Sequence, residues 1–281
     1  MTITQKEYFD EAARRSSSNA VLVPGASRFR NIVIDRAMRK ALTPVFKNFR
    51  RLSILEVGCG VGRWTEKMAN ENAVIGVDLS PFMLKMAKDR CKGKDCSFLV
   101  ADVSFLPFKK NVFDLVVSIT VLQHILNGRR HFQALSEIAR CGRSKTMIVE
   151  EMWSTDVTLL KNVYCPIRVV PVNSYVEDLW ANHLCTREFS GITPAIFTVI
   201  LTRFLARKPG VTEGTLNAGV KSSRLLSGVV HLVMGAGMLS AVFAPIGRYN
   251  PRSSLHTILI ADKKNVIDSK NNDENRSLGK S

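Results

Sequence analysis

Ile54-Leu55-Glu56-Val57-Gly58-Cys59-Gly60-Val61-Gly62-Arg63-Trp64-Thr65 decides how the rest of this chain is read. An apolar run carries an acid near its end, passes into a glycine-rich turn and then enters a helical pattern. This is the grammar of a buried strand that delivers its backbone to a bound ligand and turns at once into a helix. Gly58, Gly60 and Gly62 permit a tight turn and remove the Cβ atoms that would hold a ligand away. The helix beyond offers unpaired N–H groups at its start.

Two further runs extend the pattern. Ala73 to Val77 is apolar and ends in Asp78, and Ser97 to Ala101 ends in Asp102. In an open parallel sheet, ligands bind outside the carboxyl ends of the strands. Gly58, Asp78 and Asp102 are therefore expected along one rim of one crevice. An acid at the second strand suits the paired hydroxyls of a ribose, and an acid at the third suits the exocyclic amine of an adenine.

The motifs Glu56-Val57-Gly58-Cys59-Gly60-Val61-Gly62, Gly76-Val77-Asp78-Leu79-Ser80, Ala101-Asp102-Val103, Phe113 to Ser118 and Leu122-Gln123-His124-Ile125 together resemble the class I S-adenosylmethionine-dependent methyltransferases. The resemblance is close over roughly residues 53 to 152. It implies a Rossmann-like α/β fold with a seven-stranded, mostly parallel sheet and helices on both faces. It implies S-adenosyl-L-methionine as cofactor, with the methionine part at Gly58, Gly60 and Gly62, the ribose at Asp78 and the adenine at Asp102. Cys59, Leu79, Met83, Val103 and Ser118 fall in the same motifs or beside them and are expected around that cofactor. Glu56 is expected to accept hydrogen bonds from the backbone or from the cofactor's amino end.

A dinucleotide-binding domain is the competing reading. Its fingerprint is G-x-G-x-x-G, with a pyrophosphate on the helix start. Here the spacing is G-x-G-x-G, and Arg63 and Trp64 follow. A Trp two residues past the last glycine would crowd close helix–strand packing, and Asp102 has no task in that fingerprint.

At 281 residues the chain can bury one large core. The six cysteines lack paired metal-ligand spacing, so no metal site is expected and reduced thiols in the cytoplasm are. The first residues hold no apolar h-region, and a signal peptide is not expected. A net charge of +16 raises a nucleic-acid or membrane-surface partner, but the excess is spread along the chain. No arginine stripe interleaved with aromatics marks a strand-tracking groove.

Residues 1–52 read as a helical cap, with helices expected over Glu7–Arg15 and Asn31–Ala41; Tyr8 and Phe9 are the candidates to touch a ligand, and simple helix packing is the alternative, the favoured one for Phe9. Ser80 and Pro81 open the helix after the second strand, with Phe82, Met83 and Met86 inward. Asp114 to Thr120 is the expected fourth strand. Arg129 to Arg140 is a helix with Phe132, Leu135 and Ile138 inward, ended at Gly142 by a left-handed residue. Lys145 to Glu150 is the fifth strand. Ser174 to Glu177 reads as a capping box opening a helix through Leu184, and Leu255 to Ala261 is a late antiparallel strand. The methyltransferase domain is drawn as 53–264, and 265–281 is a polar, disordered tail.

Between Arg224 and Arg248 lie 23 residues without a Lys, Arg, Asp or Glu, long enough for a membrane span. A single span would put strands of one sheet on opposite sides of the bilayer, and Gly228, Gly235, Gly237 and Pro245 interrupt the run. Residues 191–247 therefore read as an inserted helical lid or a peripheral surface anchor. An apolar lid suits a small-molecule or lipid-linked acceptor. Nucleic acid is the less favoured partner, and the oligomeric state is not legible.

Methyl transfer from a sulfonium is an in-line displacement that needs alignment and exclusion of water more than a fixed catalytic set. An acceptor hydroxyl would need a base, and His124, just past the fourth strand, has the suitable pKa range. Packing of the loop is its structural alternative. Glu150 and Glu151 are second candidates, and Tyr164 and Tyr175 are placed only by position. An RNA or protein methyltransferase and a non-catalytic fold relative are the alternatives.

Overall fold

The computed structural model describes residues 7, 9–11, 14, 28–152, 157–159, 167–192 and 256–264. Helix α1 (Arg28–Phe46) leads into β1 (Ser53–Val57), a short α2 (Thr65–Met68), β2 (Ala73–Asp78), α3 (Pro81–Arg90), β3 (Cys96–Val100) and β4 (Phe113–Ile119). A 3₁₀ turn (Leu122–His124), α4 (Gly128–Cys141), β5 (Gly142–Glu150), β6 (Val157–Leu159), β7 (Ile167–Val169), α5 (Val172–Ala181), β8 (Leu184–Gly191) and β9 (Thr257–Lys263) follow. β6 and β7 form a separate two-stranded ribbon.

The main sheet has seven strands in the order β3-β2-β1-β4-β5-β9-β8. β1 to β5 are parallel, while β9 runs antiparallel to both of its neighbours. The winding reverses at β1, between β2 and β4, which is where open sheets of this kind leave a crevice. The pairings Val57↔Val77 and Val57↔Ser118 bring three chain segments to that crevice side by side: Gly58, Asp78 and the turn after β4.

Apolar layers cover both faces. Leu55, Val57, Val116 and Ile148 pack under α4 and α5 with Leu135, Ile138, Tyr175 and Leu179. Ile54, Leu115, Val117 and Met147 pack under α1 with Met38, Leu42, Phe46 and Trp64. Each fully buried Val, Leu, Ile or Met among them stabilises the fold by about 1.5–3 kcal/mol. Trp64 crowds nothing, because its ring lies edge-on to Phe46 in the second layer.

Several local expectations need correction. Phe132 is not inward but 42% exposed; the buried stripe of α4 is His131, Ala134, Leu135 and Ile138, a repeat that leaves Phe132 about 100° off the core. Gly142 is extended (φ −74, ψ 134) rather than left-handed, because α4 passes into β5 without a reversing loop. Phe82 is 40% exposed and lies beneath the Arg14 guanidinium. The capping box does not form: Pro171 already stands in the N-cap position and α5 starts at Val172, so Ser174 is inside the helix. That helix ends at Ala181, since left-handed His183 (φ 60) turns the chain into β8. β6, β7 and β8 were not expected as strands.

Ile192 donates its N–H to the His256 carbonyl at 2.8 Å. Ile192 and His256, which flank residues 193–255 in sequence, thus lie side by side at the carboxyl edge of the parallel strands, where Glu150 pairs with Thr257. The apolar run, Tyr164 and the tail lie outside the described residues. Among the described residues, no helix is long and apolar enough to cross a membrane.

Candidate active site

The glycine turn is bound to the end of β2. Gly58, Gly60 and Gly62 all take left-handed φ (63°, 54° and 74°), a region that L side chains enter at a cost. Gly60 donates its N–H to Asp78 Oδ2 at 2.9 Å, and Ser80 donates its N–H to Oδ1 at 2.9 Å. Burial pushes the Asp78 carboxyl above its ordinary range, against the pull of these backbone donors. Cys59 is buried beside Gly76, where an added Cβ would stand 2.9 Å from its Sγ; burial also raises its thiol, which is therefore a packing group and not a nucleophile.

Glu56 points to the α1 face of the sheet. It is 2% exposed, accepts a hydrogen bond from the Thr65 hydroxyl, and is pushed by burial up to about 8. Arg63, whose charge opposes that rise, is itself bound to Asp35 at 2.6 Å. A buried carboxyl with a raised pKa beneath the glycine turn is chemically suited to receive an ammonium group. That feature, with the Cβ-free turn, is what the amino-acid end of S-adenosylmethionine requires.

Asp102 lies one strand further, where Oδ1 accepts the Ser104 N–H at 2.9 Å and Oδ2 pairs with Arg130 at 2.5 Å. Leu79 is 43% exposed, Met83 is buried against Val61, and Val103 is half-buried. Ser118 is fully buried, in register with Val57, and its hydroxyl has no partner among the described residues. Glu56, Gly58, Cys59, Gly60, Gly62 and Asp78 are thus brought together, while Asp102 and Ser118 flank them on opposite sides.

On the acceptor side, His124 ends the 3₁₀ turn and its ring meets Phe9 edge-on at 5.1 Å. Phe9 and Asp10 reach both sides of the crevice: Phe9 touches this turn, and the Asp10 carboxylate accepts a hydrogen bond from the Ser80 hydroxyl. Ser80 caps α3 as expected, accepting from Met83 N–H at 3.1 Å. Glu150 is no solvent-facing base, since it is fully buried and accepts three backbone N–H groups from the turn. Tyr175 is also buried, 3.1 Å from His131 Nε2. Among the described residues, no group of three His, Cys, Asp or Glu side chains is arranged to hold a metal.

Asp10, Val121 and Arg130 escaped sequence reasoning. Val121 occupies the space above Gly58, where an added Cβ would fall 2.3 Å from its Cγ2. None of the three carries a local signal, because each acts through a contact distant in sequence.

Residues 54–145 match the family model described as a methyltransferase domain. The demethylmenaquinone methyltransferase of Lactococcus lactis is 38% identical over 96 residues, covering 32% of this chain and 37% of that protein. The human probable tRNA methyltransferase 9B is 31% identical over 87 residues, 31% of this chain and 18% of that one. The chain spans little more than half, or less, of the length of the curated relatives it matches. Magnesium protoporphyrin IX methyltransferase from Synechocystis, solved with bound S-adenosylhomocysteine and with S-adenosylmethionine, shares the fold at a TM-score of 0.57 and 15% identity, covering 92% of this chain and, in the first of these structures, 98% of that one.

Proposed function

Starting from a chain whose residues 54–145 form a class I S-adenosylmethionine-dependent methyltransferase domain, we propose that it transfers a methyl group to a small-molecule or lipid-linked acceptor. The observation that carries the cofactor reading is the glycine turn bound to Asp78 above a buried, proton-retaining Glu56. When bound, S-adenosylmethionine supplies a methyl already activated by sulfonium charge. Glu56 would hold the amino end, Asp78 the ribose hydroxyls, and Asp102, here paired with Arg130, the adenine edge. Phe9 and Asp10 close the crevice against water. His124 takes the proton of an acceptor hydroxyl on a ring nitrogen.

The acceptor class is supported by the place from which residues 193–255 emerge, at the edge where His124 stands, and by the apolar run within them. The demethylmenaquinone relative agrees with it. A second reading, an RNA acceptor, is favoured by the net charge of +16 and by the tRNA methyltransferase relative. One experiment separates them: incubate the protein with methyl-tritiated cofactor and fractionated cell extract, then count the organic, aqueous small-molecule, RNA and protein fractions. Label in the organic or small-molecule fraction is the expected result. Label confined to RNA or protein overturns the acceptor class, and label in no fraction overturns turnover.

A further inference from the structure

Glu150 terminates β5 with its side chain fully buried. Oε1 accepts the N–H of Val121 at 2.8 Å and of Leu122 at 2.9 Å, and Oε2 accepts that of Gln123 at 3.2 Å. These are the first donors of a 3₁₀ turn that no neighbouring side chain caps, so without the carboxylate they would be unmet, those of Leu122 and Gln123 in a buried place. Gln123 returns the tie by accepting the Glu151 N–H at 3.4 Å. The turn also reaches both halves of the site. Val121 sits where a Gly58 Cβ would be, and His124 lies three residues on. We propose that Glu150 is a positioning residue, which holds this turn from behind and so sets the ceiling of the glycine turn and the place of the His124 ring together.

A glutamine could not replace it, because its amide NH₂ would face backbone N–H groups with one oxygen left to serve three donors. Burial pushes the Glu150 carboxyl up to about 7. Its titratable and charged surroundings are Glu151 beside it, His124 on the turn, Tyr175 and Asp178 on α5, His131 on α4, Arg168 on β7, and His256 before the β9 residue paired with it. Ionised, it accepts from all three amides; protonated, one oxygen becomes a donor and the hold weakens. The turn is therefore tightest above neutral pH.

Hydrogen exchange tests this on the full chain, without knowledge of the acceptor. Backbone amides 121–123 are followed by mass spectrometry at pH 6, 7 and 8, corrected for intrinsic rates, in the wild type, Glu150→Gln and the control Asp262→Asn at the far end of the sheet. In the wild type, protection of these amides should rise about tenfold from pH 6 to 8. In Glu150→Gln it should fall at least about tenfold at pH 8 and lose its pH dependence, with β1 and β2 unchanged. Wild-type protection in Glu150→Gln, or equal loss throughout the sheet, overturns the proposal. Glu150→Asp keeps the charge with a shorter reach and should give intermediate protection; protection equal to wild type overturns it too. The link to the cofactor rests on the function proposed above and is read separately: S-adenosylhomocysteine should bind Glu150→Gln about five- to tenfold more weakly by calorimetry. Lost protection with unchanged affinity overturns that link alone, and no binding to the wild type overturns the cofactor reading while the exchange result stands.

Discussion

On the function proposed above, binding of an S-adenosyl ligand should expel a proton from Glu56. The carboxyl is held near 8 by burial against an ordinary 4.5, so at pH 7 about nine molecules in ten carry the proton before binding. An ammonium placed against the group favours its charged form and drives the proton out. Roughly 0.9 proton per ligand is then released at pH 7 and roughly 0.5 at pH 8. Competition with that proton weakens affinity about elevenfold at pH 7 and about twofold at pH 8, so affinity should rise about fivefold between them. The assay is titration calorimetry with S-adenosylhomocysteine in two buffers of different ionisation heat. Glu56→Gln serves as the reference, which removes any contribution from the ligand's own amine. A wild-type release equal to that of Glu56→Gln, or below about 0.2 at pH 7, refutes the reasoning. The same group sets a stability slope without ligand. The folded chain keeps a proton that the unfolded chain loses from 4.5 upward, so stability is full below that pH and declines until about 8. The full ionisation cost is at most roughly 5 kcal/mol, and Glu56→Gln should lack it.

Asp78→Ala removes the acceptor of the Gly60 and Ser80 N–H groups and should weaken S-adenosylhomocysteine binding about 10- to 100-fold by calorimetry; unchanged affinity would cancel its role. Gly58→Ala, at φ 63 beneath Val121, should cost about 2–5 kcal/mol in urea unfolding. Adding Val121→Ala should recover the packing part but not the backbone part, so full recovery or none contradicts the geometry. Lys263→Met loses Nζ donations to Ala139 O at 3.0 Å, Gly142 O at 2.8 Å and Asn111 Oδ1 at 2.6 Å, and a loss of about 1–3 kcal/mol is expected in the same assay. His124→Ala should reduce methyl transfer to the acceptor found in labelled extract about 10²- to 10⁴-fold while leaving S-adenosylhomocysteine affinity within about twofold. Retained turnover would make it a packing residue.

The parallel half of the sheet was legible because its signals are local. Glu56 to Gly62, Asp78 and Ser80-Pro81 carry strand, turn and cap in adjacent residues, and the structure forms each of these at the carboxyl ends of β1 and β2. The later elements were harder for identifiable reasons. Ser174 to Glu177 matches a capping box, but Pro171 three residues earlier had already set the start of the helix. Phe132 looks like a core residue by type, yet the stripe ran through His131, whose burial depends on Tyr175. β8 was missed because Thr186, Arg187 and Glu188 give it little apolar character; it sits at the sheet edge and bulges between Thr186 and Glu188. The ties that assemble the site, Glu150 to the turn and Asp10 to Ser80, join residues 27–29 and 70 positions apart. No window of sequence contains them.

The position of β9 bears on how the chain is made. It lies between β5 and β8, yet it emerges last among these elements, about 110 residues after β5 is complete. At a synthesis rate of about 5–20 residues per second, the gap lasts roughly 5–25 s. Throughout it, the five parallel strands end at β5 in a bare row of amides and carbonyls, and β8, once made, is a lone strand with bare rows on both sides. Such rows are templates for pairing with neighbouring chains, so a ribosome that stalls in this interval leaves a product prone to clump, and chaperone demand should peak there.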